Sequence, residues 1–156
     1  MIYLAVVGGS KCSAEESRLA YEVGAVIARK GGTVICGGGL GVMEAASRGA
    51  KEAGGMVFGI LPGDSPHEGN SHLTAAIATG LGEARNAIIA RTVDAVIAVG
   101  GEYGTLSEIA LALKMNKPVI GLRSWQLTPP IPLKTLMLVA ATSAEAVDLA
   151  FSSIRG

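Results

Sequence analysis

The chain has 156 residues, 49% hydrophobic and 17% charged, with Lys+Arg and Asp+Glu equal at 13 each. That length suits one domain spanning residues 1–156 with one core, and the composition excludes a disordered chain. Zero net charge and 4% aromatic residues argue against a nucleic-acid-coating surface with base-stacking platforms, so no nucleic-acid partner is expected.

Ile2 to Val7 is a continuous apolar run ending in Gly8-Gly9-Ser10. It predicts a buried parallel strand. Ser13-Ala14-Glu15-Glu16 has the capping-box pattern, and an amphipathic helix follows to about Lys30. Thr33 to Cys36 predicts the second strand, which ends in Gly37-Gly38-Gly39-Leu40-Gly41, and Val42 to Ala53 the second helix. Met56 to Leu61 reads as a third strand, Pro62 to Leu73 as a polar loop, and Ala75 to Ala78 as a short fourth strand. A helix over Glu83 to Arg91 and a strand over Asp94 to Val99 lead to the turn Gly100 to Gly104. A helix over Thr105 to Met115 and a strand over Pro118 to Leu122 come next. The proline-rich stretch Ser124 to Pro132 reads as a surface loop, Leu136 to Ala140 as a last strand and Ala144 to Ile154 as the terminal helix. Regular strand–helix alternation predicts a Rossmann-like, doubly wound parallel α/β sheet with right-handed crossovers.

In such a sheet, ligands bind beyond the carboxyl ends of the strands. The 22 glycines, about twice the usual ~7%, cluster at those ends. Free amides at a helix start and the positive end of its dipole attract phosphate. The phosphate-binding candidates are therefore Gly8, Gly9 and Ser10; Gly37, Gly38, Gly39, Gly41, Val42 and Met43; and Gly100, Gly101, Gly104 and Thr105. Gly-x-Gly-x-x-Gly fails because Val42 stands three after Gly39, and no Walker lysine occurs. NAD binding and ATP hydrolysis are disfavoured.

Glu108 sits three positions after Thr105, so the pair reads either as a capping box or as a phosphate contact beside a carboxylate at the cleft mouth. Arg85 falls in the first turn of its helix, where a cation opposes the dipole, which points to an anionic ligand or partner nearby. His67 and His72 flank Glu68 at no metal-ligand spacing, so no metal is expected. With two histidines in the chain and none near Ser10, a serine triad is disfavoured. Cys12 and Cys36 read as reduced thiols of a cytoplasmic protein. No apolar stretch reaches the ~18 residues of a membrane helix, and no signal peptide is visible.

From residue 2 to residue 122 the chain resembles the Lonely Guy superfamily, often mislabelled lysine decarboxylases. It is similar to the small bacterial branch related to molybdenum-cofactor carriers. The resemblance rests on Thr79-Gly80-Leu81-Gly82-Glu83-Ala84-Arg85-Asn86 and Gly100-Gly101-Glu102-Tyr103-Gly104-Thr105-Leu106-Ser107-Glu108. It implies hydrolysis of nucleoside 5′-monophosphates to base and ribose 5-phosphate, with Arg85 and Glu108 as catalytic residues. Asn86, counted with the ligand contacts, stands where the family's enzymes carry lysine; Gly100 and Glu102 replace a proline and a glycine of their phosphate turn. The alternative it implies is a non-catalytic carrier of a phosphorylated ligand such as molybdenum cofactor. No cofactor is required for the hydrolysis, although a nucleotide or molybdenum cofactor could be bound. The expected partners are a small phosphorylated ligand and further copies of the chain, as a dimer or tetramer. Nothing supports a lysine decarboxylase, because no lysine sits in a pyridoxal-phosphate context.

Overall fold

The computed structural model describes residues 1–155. Its strands are β1 (Tyr3–Gly8), β2 (Thr33–Cys36), β3 (Val57–Leu61), β4 (Ala75–Ala78), β5 (Ala95–Val99), β6 (Val119–Leu122) and β7 (Leu138–Ala140). Its helices are α1 (Ala14–Arg29), α2 (Val42–Glu52), α3 (Arg85–Thr92), α4 (Tyr103–Lys114) and α5 (Ser143–Arg155). The seven strands form one sheet in the order β4-β3-β2-β1-β5-β6-β7, and every pairing is parallel.

The continuous apolar runs exist because both sheet faces are covered. Leu4, Val6, Val34, Ile97 and Val99 face a core shared with α1, α2 and α5. Their neighbours Ala5, Val7, Ile35, Val96 and Ala98 face a second core under α3 and α4. This is the doubly wound arrangement the alternation predicts. Helices α1 and α2 meet at Gly24 and Gly49, where an added Cβ would lie 2.0 Å from the carbonyl oxygens of Ala46 and Tyr21 respectively. No side chain fits that crossing.

At the start of α1 the capping box forms as expected. The Ser13 hydroxyl accepts from the Glu16 amide at 3.1 Å, and the Glu16 carboxylate accepts from the Ser13 amide at 3.1 Å. The Thr105–Glu108 box does not form. Helix α4 starts two residues earlier than its pattern predicts, at Tyr103, and its N-cap is Glu102, which makes no side-chain capping bond. Thr105 thus lies inside the first turn and is buried, so Glu108 has no capping role. A 3-10 turn over Gly82–Ala84 precedes α3, which begins at Arg85 rather than Glu83. Strand β7 is an edge of only three residues, shorter than Leu136 to Ala140.

Strands β1 and β5 pair directly, with Gly8 beside Val99. The chain winds outward in opposite directions from this pair, so the switch-point crevice opens above it. No helix among the described residues is long and apolar enough to cross a membrane.

Candidate functional site

A cleft of about 600 Å³ occupies that crevice. It gathers Gly8, Gly9 and Ser10 from the end of β1, Met43 from α2, Arg85 and Asn86 from α3, and Gly104, Thr105 and Glu108 from α4. Gly82, Glu83 and Glu102, from the two motifs, complete the lining together with Lys11 and Pro62, to which the sequence analysis assigns no role. For Lys11 a signal existed: it directly follows Gly8-Gly9-Ser10, so a cation extends the same turn.

The structure keeps Gly37, Gly38, Gly39, Gly41 and Val42 out of the cleft lining. Several of their backbone groups are bonded within the chain, while the amides of Gly39 and Gly41 have no acceptor among the described residues. The Val42 amide donates to Gly9 O at 3.0 Å, and the Gly38 amide to Cys36 Sγ at 3.3 Å. Asn70 donates its backbone amide to Gly38 O and its side-chain amide to Gly39 O. Gly100 and Gly101 border a neighbouring cleft instead. Gly101 still shapes the first site from behind: at φ +98°, an added Cβ would stand 2.3 Å from the Thr105 hydroxyl. His67 and His72 lie outside the cleft lining, and no potential metal-binding group of three or more His, Cys, Asp and Glu occurs among the described residues.

Arg85 is anchored rather than swinging free. Its Nη1 donates to Gly37 O and Ile60 O, each at 2.7 Å, across the ends of β2 and β3. Gly37 must be glycine for this, since a Cβ would lie 2.3 Å from Nη1. The Arg85 Nε is buried with no hydrogen-bond partner among the described residues. A buried, unpaired donor on a half-buried cation is costly, and an anion held alongside it would relieve that cost.

The Glu108 carboxyl lines the same cleft as this cation without forming an ion pair among the described residues. Burial pushes its pKa up from 4.5 to about 7, and the Arg85 charge only partly offsets that rise. The carboxyl therefore exchanges a proton near neutrality, as an acid–base group must. Asn86, buried, donates to the Ser107 hydroxyl at 3.2 Å and so ties α3 to α4. In the first turn of α4 the amides of Tyr103, Gly104 and Thr105 have no backbone acceptor among the described residues; the first such bond there runs from Leu106 to Glu102. Free amides at the positive end of a helix dipole suit a phosphate.

A glycine-edged cleft at the switch point of a parallel sheet, holding a fixed arginine and a near-neutral glutamate, defines a Rossmann-like protein of Lonely Guy type. Residues 1–147 match the SLOG cluster4 family, and the chain belongs to it. A molybdenum cofactor binding protein from Rippkaea orientalis superposes with TM-score 0.88 at 37% identity, covering 98% of this chain and 97% of that one. The molybdenum cofactor carrier protein of Chlamydomonas reinhardtii gives TM-score 0.86 at 34% identity, with both chains fully covered. Rice cytokinin riboside 5′-monophosphate phosphoribohydrolase LOG is 32% identical over 112 residues, 69% of this chain but 45% of that enzyme.

Proposed function

We propose that the cleft binds a nucleoside 5′-monophosphate and hydrolyses its N-glycosidic bond. The observation that carries this reading is the convergence of an uncapped helix start, a fixed arginine and a glutamate of raised pKa in one cleft. The 5′-phosphate sits on the first-turn amides of α4, near Gly8 to Ser10, with Lys11 and Arg85 balancing its charge. Water adds to the ribose C1′ as the C1′–N bond breaks, and the base leaves with the proton that water supplies. Positive charge develops on the sugar during this step, and the Glu108 carboxylate stabilises it and orients the water. The products are free base and ribose 5-phosphate.

A second reading is supported by the molybdenum cofactor binding and carrier proteins that match over their whole length. There the same amides hold the phosphate of a cargo molecule and no bond is broken. Asn86 suits it, being committed to Ser107 where the resemblance places a catalytic lysine. Incubation with AMP separates the readings. Adenine and ribose 5-phosphate in equal amounts support hydrolysis, whereas saturable binding with intact AMP supports the carrier. Neither binding nor release removes both. We also expect a homo-oligomer. The apolar side chains Ile77 on β4, Leu81 on the approach to α3 and Ile88 within α3 are exposed, and light scattering at micromolar concentration reads the mass.

A further inference from the structure

Asn70 lies in the loop that joins β3 to β4, outside the cleft lining. It grips the turn Gly37 to Gly41 from behind. Its backbone amide donates to Gly38 O at 2.8 Å, and its Nδ2 donates to Gly39 O at 2.9 Å. The same Nδ2 reaches the Ser47 hydroxyl on α2 at 3.4 Å, and that hydroxyl donates to Met43 O at 2.7 Å. The Asn70 Oδ1 accepts from the His72 amide at 3.0 Å. Both ends of the side-chain amide are therefore engaged, and its orientation is fixed.

The carbonyl that precedes these two in the chain, Gly37 O, accepts from Arg85 Nη1. Arg85 thus has two anchors of different kinds. Ile60 O belongs to β3 and is fixed by the sheet. Gly37 O belongs to the turn, and its place depends on what holds the turn. Arg85 and Glu108 line one cleft, and the Arg85 charge reaches the Glu108 carboxyl. Yet the two form no ion pair among the described residues. A cation beside a desolvated carboxylate is drawn into a pair unless other bonds hold it back. Such a pair would occupy both groups at once.

We propose that Asn70 is a positioning residue: by holding the turn Gly37 to Gly41 it keeps Gly37 O in place for Arg85, and so keeps Arg85 apart from Glu108. Asn70 acts through the turn and touches neither a ligand in the cleft nor Glu108. The benefit to a phosphorylated ligand rests on the reading of Arg85 as a cation that balances its charge.

The test uses the full chain with carbon-labelled glutamate, titrated by NMR; the Glu108 signal is the one lost in Glu108→Gln. Among the charged side chains lining the cleft, Lys11, Glu83, Arg85 and Glu102, Arg85 is the one that lowers the Glu108 pKa. Arg85→Ala should therefore raise the midpoint. Asn70→Ala should lower it by about one pH unit, because the released guanidinium closes on the carboxylate. With both changes together the midpoint should match that of Arg85→Ala alone. Asn70→Ser is the second variant. Its hydroxyl still accepts from the His72 amide, as in turns built on serine, so the loop keeps its shape while the bonds to Gly39 O and Ser47 are lost. It should lower the midpoint in the same direction, and it decides the matter if Asn70→Ala does not fold. A midpoint unchanged or raised in Asn70→Ser overturns the proposal. So does the same fall in the Arg85→Ala background, since entry of water would then explain it. Inorganic phosphate, read through melting temperature, should bind Asn70→Ser at least about threefold more weakly than wild type. If phosphate fails to stabilise the wild type, or binds Asn70→Ser equally well, the reading of Arg85 as the phosphate's cation fails, and the Glu108 midpoint still decides the role of Asn70.

Discussion

Two glycine turns look alike in the sequence and have opposite fates. Gly37 to Gly41 and Gly100 to Gly104 each follow a strand and lead into a helix. In the first turn the carbonyls of Gly37, Gly38 and Gly39 are taken up by Arg85 and Asn70, and the amides of Gly38 and Val42 by Cys36 and Gly9. The second turn places Gly104 and Thr105 in the cleft lining; neither helix start has a side-chain cap, and the first amides of both α2 and α4 include ones without acceptors among the described residues. Glycine density marks close approach by something, either the rest of the chain or a ligand. Only the accounting of amides and carbonyls tells which.

The largest expected effect tests the chemistry beside the second turn. Glu108→Gln keeps shape and removes charge. If the cleft is a hydrolase, turnover on AMP should fall roughly 100-fold or more, the scale of losing one key electrostatic group. Full activity in that variant would leave Glu108 without a catalytic role and would favour the carrier reading.

Next in size is a test of the first turn. Gly37→Ala places a methyl 2.3 Å from Arg85 Nη1 and should cost about 1–3 kcal/mol, as overpacking does. In an Arg85→Ala background the same change should cost less, because the nearest clashing group is gone and only Met43 Sδ, at 2.8 Å, remains. Denaturant melts of the four proteins read the coupling. Equal costs in both backgrounds would mean that Gly37 is not there for Arg85.

Gly104→Ala should behave in the opposite way. An added Cβ at Gly104 meets nothing within 4 Å, and alanine suits a helix better than glycine. Stability should hold or rise by up to ~1 kcal/mol. Phosphate binding should weaken, because the methyl projects into the cleft beside the free amides. Thermal shift with inorganic phosphate measures both quantities. A variant that loses stability, or that keeps wild-type phosphate affinity, breaks the contrast between the turns.

Much of this was legible in the sequence. Strand–helix alternation gave the doubly wound sheet, and Ser13 with Glu16 marked the start of α1 to the residue. Local signals of that kind are complete within a few positions. The fate of Gly37 to Gly41 was not legible, since its partners Asn70 and Arg85 lie 31 and 48 residues away. The start of α4 was misplaced because Thr105 with Glu108 fits the capping pattern, whereas Glu102 takes the extended backbone of an N-cap without offering a side-chain bond. Arg85 stands out in the sequence as a cation at a helix start, and α3 does begin there. Its actual partners, two carbonyls at the ends of neighbouring strands, required the tertiary fold.

The smallest expected effect is a pH dependence, and its sign follows from Glu108. Its carboxyl titrates near 7 in the folded chain and near 4.5 when unfolded. Between those values the folded state holds a proton that the unfolded state has released. Stability should therefore fall as pH rises from about 4.5 to 7 and level off above. Because the side chain is only partly buried, this component should be about 1 kcal/mol. Glu108→Gln should abolish it. The same proton acts in opposite directions on function. Protonated Glu108 repels a phosphate less, so affinity for inorganic phosphate should decline as pH rises towards 7. The carboxylate form performs the proposed catalysis, so kcat should rise through the same range. Melting, phosphate binding and kcat measured from pH 5 to 8.5 should thus share one inflection. A stability slope without the kcat inflection would describe a desolvated carboxyl that takes no part in bond cleavage.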